Sequence, residues 1–321
     1  HRRRHSFPTR RSSDLIPAEV TAKLTAVNVL LVLCPLPAAY LTQIDAVYDR
    51  VDGTGDGGLL DIVKSPTYQQ DRLMYAYIST PTDNRVVRIA DDDVPKEILT
   101  GIPKGASGNA GSLIFTSPTT LMVQTGDAGN PGAAADPASL AGKLLRIEQP
   151  TTVGQAPLTT ALTGLGGGGS MCIDPGDGSL YVTDRSPTGD RLQRISKDSK
   201  TSTVWTWPDK PGVAGCAAVE GSILVNLVNT KQTVAVKLAP DTGAVTGEPE
   251  VVRQDQHGHA WALALSPCAL CVTTMARAQP SSPTAPRWQP CRLTSMPAAP
   301  SLRSSRSLRL RPCRLISRSP G

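Results

Sequence analysis

GSLIFTSPTTLMVQTGD, residues 111–127, contains two short apolar strands separated by one turn. It begins with small residues, enters a strand rich in β-branched and apolar side chains, turns at Ser-Pro, and enters a second strand. The same order recurs from Gly57, Gly169, Gly215 and Ala260, so that successive units begin 54, 58, 46 and 45 residues apart. Self-similarity at such a period indicates a repeat architecture.

Two further strands can be placed after most of these pairs. We predict third strands at 84–90, 142–148, 190–196 and 232–238, and fourth strands at 96–102, 201–207 and 248–254. A four-stranded unit at this period is typical of a propeller blade. With a degraded unit in 20–52, the five units predict an all-β, six-bladed β-propeller whose first and last blades are degraded or truncated. A β-sandwich is the alternative, but it does not account for the repeated turn order.

The two ends of the chain differ from the middle. Residues 1–15 contain five Arg and one acid and resemble an adapter-derived segment, while 268–321 contain nine Arg and no Lys, Asp or Glu. Residues 16–267 carry the remaining 19 basic and 26 acidic residues, a net charge of −7, although the whole chain is +6. We therefore predict a propeller domain at 16–267, a non-native segment before it, and a frameshifted or disordered tail after it. A basic tail that binds nucleic acid is the alternative for 268–321, and for the propeller we expect no nucleic-acid partner.

Three cysteines precede the tail. Cys172 and Cys216 lie in strand-like segments, and either a disulfide in an exported protein or two buried thiols would fit them. Cys34 lies within the uncharged segment 24–43, whose length raises the question of a membrane span, but Pro35 and Pro37 favour a degraded strand pair. We expect no export signal in this chain.

Several motifs have structural interpretations that outweigh functional ones. The glycines of 105–111 lack the Lys-Ser/Thr pair of a phosphate loop, and GLGGGG at 164–169 leads into strand residues, so both are interpreted as turns. The histidines of HGH, 257–259, could share a metal ion, but no ligand partner is evident. CALC at 268–271 lacks the second ligand pair of a zinc site.

The repeat units also resemble a known family. GDGGLLDIVKSPTYQQDRLMYAYISTPTDNRVVRI (55–89) and LTGIPKGASGNAGSLIFTSPTTLMVQTGDAGNPGAAADPASLAGKLLRI (99–147) are similar to the soluble quinoprotein glucose/sorbosone dehydrogenases. A mycobacterial lipoprotein branch of that family is similar through TWPDKPGVAGCAAVEG (206–221) and VVRQDQHGHAWALALSP (251–267). The resemblance implies export, and in the enzymes pyrroloquinoline quinone (PQQ) held with Ca²⁺ on one face of the ring.

The resemblance also suggests site residues. The catalytic His of the enzymes falls on Gly108, beside Asn109, while the Asp that orients this His matches Asp127. Lys231 and His259 correspond to quinone-contacting positions, and Pro187 to a backbone ligand of calcium. The loop that carries an Arg-Asn…Gln set in the enzymes corresponds to 164–171, which has none of these side chains.

Two functions follow from this comparison. The first is a non-catalytic, exported envelope protein that binds a carbohydrate, another small molecule or a partner on the top of the propeller, and that attaches to a membrane only through a lipid anchor missing from this chain. The second is a PQQ-dependent sugar dehydrogenase that oxidises an aldose by hydride transfer to the quinone, with another base such as His259. Loss of the positioned base favours the first, since such a group contributes roughly 10²–10⁴-fold to rate.

Overall fold

A computed structural model describes Val47, residues 50–90, 94–150, 158–219, 221–239 and 242–254, and the backbone of two strands at 259–266 and 269–275. Within this part, the chain forms four four-stranded antiparallel sheets and one two-stranded sheet. The strands of each large sheet follow one another in sequence order, which is the topology of a propeller blade. The predicted all-β propeller is confirmed.

The four complete sheets are named blades A to D in chain order. Blade A contains β1 (Leu59–Lys64), α1 (Tyr68–Asp71), β2 (Met74–Ser79), β3 (Asn84–Ile89) and β4 (Lys96–Ile102). Blade B contains β5 (Gly111–Ser117), β6 (Thr120–Thr125), α2 (Pro131–Ala135), β7 (Lys143–Glu148) and β8 (Leu158–Thr163). Blade C contains β9 (Met171–Ile173), β10 (Leu180–Ser186), β11 (Gly189–Ile195) and β12 (Thr201–Trp207). Blade D contains β13 (Val213–Val219), β14 (Ser222–Leu227), β15 (Gln232–Lys237) and β16 (Glu250–Gln254).

The fifth sheet pairs β17 (His259–Ser266) with β18 (Ala269–Met275). This hairpin crosses the predicted domain boundary at Pro267, and β18 belongs by sequence to the predicted tail. The degraded unit predicted in 20–52, the segment 24–43 and Cys34 fall almost wholly outside the described residues, as do 1–15 and 276–321. Among the described residues, no helix is long and apolar enough to cross a membrane.

The predicted strands agree with the observed ones to within two residues at most ends, with two omissions, β8 and the β18 strand of the predicted tail. Strand β8, the outermost strand of blade B, escapes prediction because LTTALT has no buried face: five of its six residues are exposed. Strand β16, the outermost strand of blade D, is likewise exposed along its whole length, whereas all six residues of β2 are buried. An outer strand of this kind lacks the apolar alternation by which inner strands are recognised.

Adjacent blades pack face to face through apolar side chains. One cluster joins blades A and B around Tyr75 and Tyr77, a second joins B and C, and a third joins C and D around Tyr181 and Trp207. The first strands of consecutive blades contact each other, β1 with β5, β5 with β9, β9 with β13, and β13 with β17. The blades are thus arranged in sequence around a common axis, with their first strands innermost.

Hydrogen bonds and one disulfide also join neighbouring blades. Asp61 of β1 accepts a hydrogen bond from the backbone N–H of Leu113 at 2.7 Å, and Asp190 accepts from the backbone N–H groups of Gly212 and Val213 at 2.6 and 2.9 Å. Cys172 of blade C and Cys216 of blade D form a disulfide, which answers the question that the sequence left open.

Candidate functional site

All six residues that the sequence suggested for the site lie at one edge of the blades. In an antiparallel blade, the loop before the first strand and the loop after the second strand lie at the same edge. Gly108 and Asn109 precede β5, Asp127 follows β6, Pro187 follows β10, Lys231 follows β14, and His259 begins β17. We call the face formed by these loops the top face.

Gly108 and Asp127 are in direct contact. The backbone N–H of Ala128 donates to the carbonyl of Gly108 at 2.9 Å, and Asp127 Oδ1 accepts from the N–H of Gly129 at 2.9 Å. Gly108 has φ +74°, and a Cβ placed on it would lie 2.5 Å from Asp127 Oδ1 and 2.6 Å from the Gly129 nitrogen. Both the backbone angle and the lack of space exclude an ordinary side chain at this position.

Asn109 is an internal part of the loop rather than a group facing solvent. It is 0% exposed; its Oδ1 accepts from the Gly105 N–H at 2.9 Å and from Asn84 Nδ2 at 3.1 Å. Its Nδ2 donates to the Gly105 carbonyl at 2.7 Å and to Asp56 Oδ1. A side-chain amide makes about four hydrogen bonds in total, so none is left for a ligand.

Asp56 is a site residue that sequence reasoning missed. Its Oδ2 accepts from the Gly108 N–H at 2.7 Å, and its Oδ1 accepts from the Asn109 N–H at 3.2 Å, so this exposed carboxylate fixes the loop that carries both residues. Nearby, Lys104 pairs with Asp52, and the hydrogen bond from Lys104 lowers the pKa of Asp52 to about 2. The available signal was an Asp within the glycine-rich turn GTGDGG before the first predicted strand.

Arg185, near the end of β10, is a second residue that was missed. Its Nε donates to the Val213 carbonyl at 2.7 Å, and its side chain lies against the glycine loop 164–169: a Cβ on Gly168 would lie 2.7 Å from Arg185 Cδ. Burial lowers the pKa of Arg185, and the carboxylates of Asp190 and Asp56 oppose this shift. The absence of a side chain on Gly168 therefore leaves space for Arg185. The guanidinium of Arg185 is attracted by the carboxylate of Asp56, which precedes blade A.

The glycine loop also approaches the loop of blade B. A Cβ on Gly167 would lie 3.1 Å from both Asp127 Oδ1 and the Gly108 Cα. Behind it, the fully buried Asp184 accepts from the Gly166 N–H at 2.5 Å and pairs with Arg191, while burial raises the pKa of Asp184. Backbone and glycine thus fill the space between Asp127 and blade C.

The loop after Asp127 is held by a buried lysine. Lys143 is 0% exposed, and its Nζ donates to the carbonyls of Ala134, Ala141 and Ala133 at 2.6, 2.7 and 3.4 Å. Burial lowers the pKa of this ammonium group. The charge is stabilised by these carbonyl dipoles and by the nearby carboxylate of Asp136. The ammonium group thus joins the two ends of the segment 133–141.

The remaining predicted site residues lie on the same face in blade C, in blade D and at the start of β17. The Pro187 carbonyl accepts a hydrogen bond from Lys210 Nζ. Lys231 is in the turn between β14 and β15 with φ +57°, and its carbonyl accepts from Gln254 Nε2 at 3.3 Å. For His259 the structure describes only the backbone at the start of β17.

Comparison with known proteins identifies the first half of the propeller. Residues 36–164 match the family model for Glucose / Sorbosone dehydrogenase, and this match includes blades A and B. These residues are thus similar to the glucose/sorbosone dehydrogenase family. No curated protein sequence matches the chain.

Solved structures of sugar dehydrogenases share the propeller. The PQQ-bound aldose sugar dehydrogenase of Streptomyces coelicolor is 23% identical with a TM-score of 0.58, over 71% of this chain and 77% of its own. A putative oxidoreductase (glucose dehydrogenase) of Thermus thermophilus is 22% identical with a TM-score of 0.59, over 72% and 83%. The soluble aldose sugar dehydrogenase of Escherichia coli is 18% identical with a TM-score of 0.58, over 71% and 82%. At this level of identity, the likeness establishes the fold.

The described residues do not fit the PQQ and Ca²⁺ of the glucose/sorbosone dehydrogenases. A carboxylate-rich cofactor needs charge-assisted hydrogen-bond donors, but Leu165 is the one residue of the loop 164–169 that has a side chain. The side chain of Arg185 already packs against Gly168 of this loop. The Pro187 carbonyl already accepts from the Lys210 ammonium, a cation that would repel calcium there. The described residues contain no group of three or more His, Cys, Asp or Glu side chains that could hold a metal ion.

Proposed function

We propose that this chain is a non-catalytic, exported relative of the glucose/sorbosone dehydrogenases, which binds a carbohydrate or another small molecule on the top face. The observation that carries the proposal is the contact between Gly108 and Asp127. Where the resemblance places the catalytic base, the backbone is left-handed and the carboxylate lies within 2.5 Å of any Cβ. A base could be placed there only if the backbone of both loops moved.

Binding on the top face is supported by the polar groups that remain there. Asp56, Asp127 and Arg185 come from three blades, and each side chain is held by a hydrogen bond to a backbone group. Two carboxylates on loops and a guanidinium at the end of β10 suit a hydroxylated ligand, because each can make directed hydrogen bonds to hydroxyl groups. Export is supported by the Cys172–Cys216 disulfide, since such bonds persist in oxidising compartments.

The test of this proposal is direct. The full chain is mixed with PQQ and Ca²⁺, heat of binding is measured by titration calorimetry, and aldose-dependent reduction of a redox dye is followed, with an active aldose sugar dehydrogenase as positive control. We expect neither heat nor dye reduction, and none from the Gly108→His variant either. Dye reduction by the wild-type chain would disprove the proposal.

The second candidate is a PQQ-dependent dehydrogenase that uses another base. It is favoured by the family match at 36–164 and by the fold shared with the PQQ-bound enzyme of Streptomyces coelicolor. For this candidate, His259 is the proposed base and Lys231 a proposed cofactor contact. Saturable PQQ binding, lost in both His259→Ala and Lys231→Ala but not in Lys237→Ala, would establish it.

A further inference from the structure

A cavity of about 330 Å³ lies at the turn between β2 and β3, on the same face as the loops described above. It is lined by Arg50, Thr80, Pro81, Thr82 and Arg85 and by the buried apolar residues Ile78 and Val87 of blade A. The volume is at the lower end of the range for small-molecule sites, which run from about 300 to 1,000 Å³. One sugar unit, rather than a polymer, would fit a cavity of this size.

Arg85 is held in a fixed orientation at the edge of this cavity. Its Nε and Nη2 donate to Asp83 Oδ1 at 2.9 and 2.5 Å, and its Nη1 donates to Glu97. Asp83 is fixed in turn by Thr80 Oγ1 at 2.7 Å and by the Gly101 N–H at 2.7 Å. Although burial raises the pKa of Asp83, these hydrogen bonds outweigh it and hold the pKa below its usual value. The guanidinium therefore has little conformational freedom to lose when a ligand binds.

Arg50 and Thr82 complete the polar wall. Within the described part of the chain, Arg50 makes one side-chain hydrogen bond, a long one of 3.4 Å from Nη1 to the Pro95 carbonyl. Thr82 is exposed, and its hydroxyl lies 3.3 Å from Thr80 Oγ1. Arg85 uses three of its five N–H groups in the described bonds, so both guanidiniums retain donors that can point into the cavity.

We propose that this cavity binds a sugar that carries a carboxylate, with Arg50 and Arg85 on the carboxylate and Thr82 on a ring hydroxyl. Paired guanidiniums recognise a planar carboxylate through charge-assisted, often bidentate hydrogen bonds. The local charges of Arg50, Arg85, Asp83 and Glu97 cancel, so directed bonds rather than net charge select the ligand. The proposal deepens the top-face binding function proposed above and rests on it.

Titration of the full chain with sodium glucuronate, glucose and inorganic phosphate tests this site. By calorimetry, we expect saturable glucuronate binding that is at least about tenfold tighter than binding of glucose or phosphate, because one lost charge-assisted bond costs about a factor of ten. Arg50→Gln and Thr82→Val should weaken glucuronate binding, the former about tenfold or more. Arg146→Gln, which changes an exposed, ion-paired arginine of blade B, should bind as the wild type does.

Each other result overturns the proposal. If glucuronate does not bind saturably, the proposed site does not exist. If phosphate binds as tightly as glucuronate, the cavity binds oxyanions without recognising a sugar, and the proposal is wrong. Equal loss in Arg50→Gln and Arg146→Gln would show a general charge effect. Thermal unfolding at the wild-type temperature confirms that the variants are folded. Dye reduction with PQQ would refute the non-catalytic function, but it would leave the result of this titration unchanged, so the two failures are distinguishable.

Discussion

At the scale of a single residue, Gly108 combines two constraints that only glycine satisfies. Its φ of +74° lies in the left-handed region, and the position of its missing Cβ is already occupied by Asp127 Oδ1 and the Gly129 nitrogen. The family resemblance suggests this position for the catalytic His of the enzymes, and Asp127 for the carboxylate that orients it. In this structure Asp127 accepts a hydrogen bond from the Gly129 N–H and occupies the space beside Gly108.

A matched pair of glycines separates the two constraints. Gly101 has φ +76° but nothing within 4 Å of its Cβ position, so Gly101→Ala should cost only the left-handed strain of about 1–2 kcal/mol. Gly108→Ala should cost about 1–3 kcal/mol more, because its methyl group would overlap Asp127. The free energy of unfolding in urea measures both. An equal loss of unfolding free energy in the two variants would mean that the loops move to accommodate a side chain at position 108.

At the scale of one element, the loop 126–142 depends on the ammonium group of Lys143. Three carbonyls converge on this group from α2 and from Ala141, and Gly142 donates its N–H to the Gly126 carbonyl at 2.8 Å beside the Asp127 turn. The geometry near Asp127 is therefore coupled to a buried charge on β7.

Removal of that charge should be costly. Lys143→Met leaves buried carbonyls without a donor, and since each costs about 1–3 kcal/mol, we expect a loss of at least about 2 kcal/mol in unfolding free energy. Lys237→Met is the control, because Lys237 lies on the equivalent third strand of blade D and forms an exposed pair with Glu250, worth at most about 1 kcal/mol. Urea unfolding measures the free energy of unfolding of both variants. A similar loss of free energy in the two variants would contradict the structural role of Lys143.

The carboxylate that joins β1 to β5 should make stability depend on pH. Burial raises the pKa of Asp61 to about 6 despite hydrogen bonds from Leu113, Ile62 and Ser112. Because the folded pKa lies above the unfolded value of 3.8, the stability that Asp61 contributes is complete below about pH 4 and is lost as pH rises through about 6. Ionisation in the folded protein is thus unfavourable near neutral pH.

Unfolding free energies of wild type and Asp61→Asn across this interval test the sign. The difference, variant minus wild type, should rise as pH increases from about 4 to about 7 and should level off above that range. Asp198→Asn serves as control, since hydrogen bonding to Lys200 lowers the pKa of the exposed Asp198 to about 2 and its difference should change little in this interval. A flat profile for Asp61→Asn would refute the assignment.

At the scale of the whole molecule, the propeller is held together by contacts between successive blades. Apolar clusters, carboxylate-to-backbone hydrogen bonds and the Cys172–Cys216 disulfide all join a blade to its neighbour. The cysteines are 44 residues apart in sequence, so the disulfide restricts a long loop of the unfolded chain.

Loss of this disulfide should destabilise the molecule by about 2–4 kcal/mol. We expect wild-type protein to unfold at a lower urea concentration when a reducing agent is present, whereas the Cys172→Ala/Cys216→Ala double variant should unfold at the same low concentration with or without it. If the reducing agent shifted both proteins equally, the effect would come from other cysteines.

The amino-acid sequence alone was enough to establish the repeat, the all-β class and most strand positions, because turn residues and period-two apolar alternation are local properties of inner strands. Through a family resemblance it also suggested a set of site residues, an assignment that stays a prediction: Gly108, Asn109, Asp127, Pro187, Lys231 and His259. It missed β8, because an exposed outer strand has no apolar pattern to find.

What the site residues contact became known only from the packing of the blades. Asp56 and Arg185 lie 129 positions apart in sequence, yet their charges attract each other at the top face. Neither residue belongs to a recognisable motif. The pairing of Cys172 with Cys216, the burial of Asn109 and the overlap between Gly108 and Asp127 depend on how one blade packs against the next. Contacts of this kind arise when distant segments close around an axis, and local sequence patterns do not encode their distances.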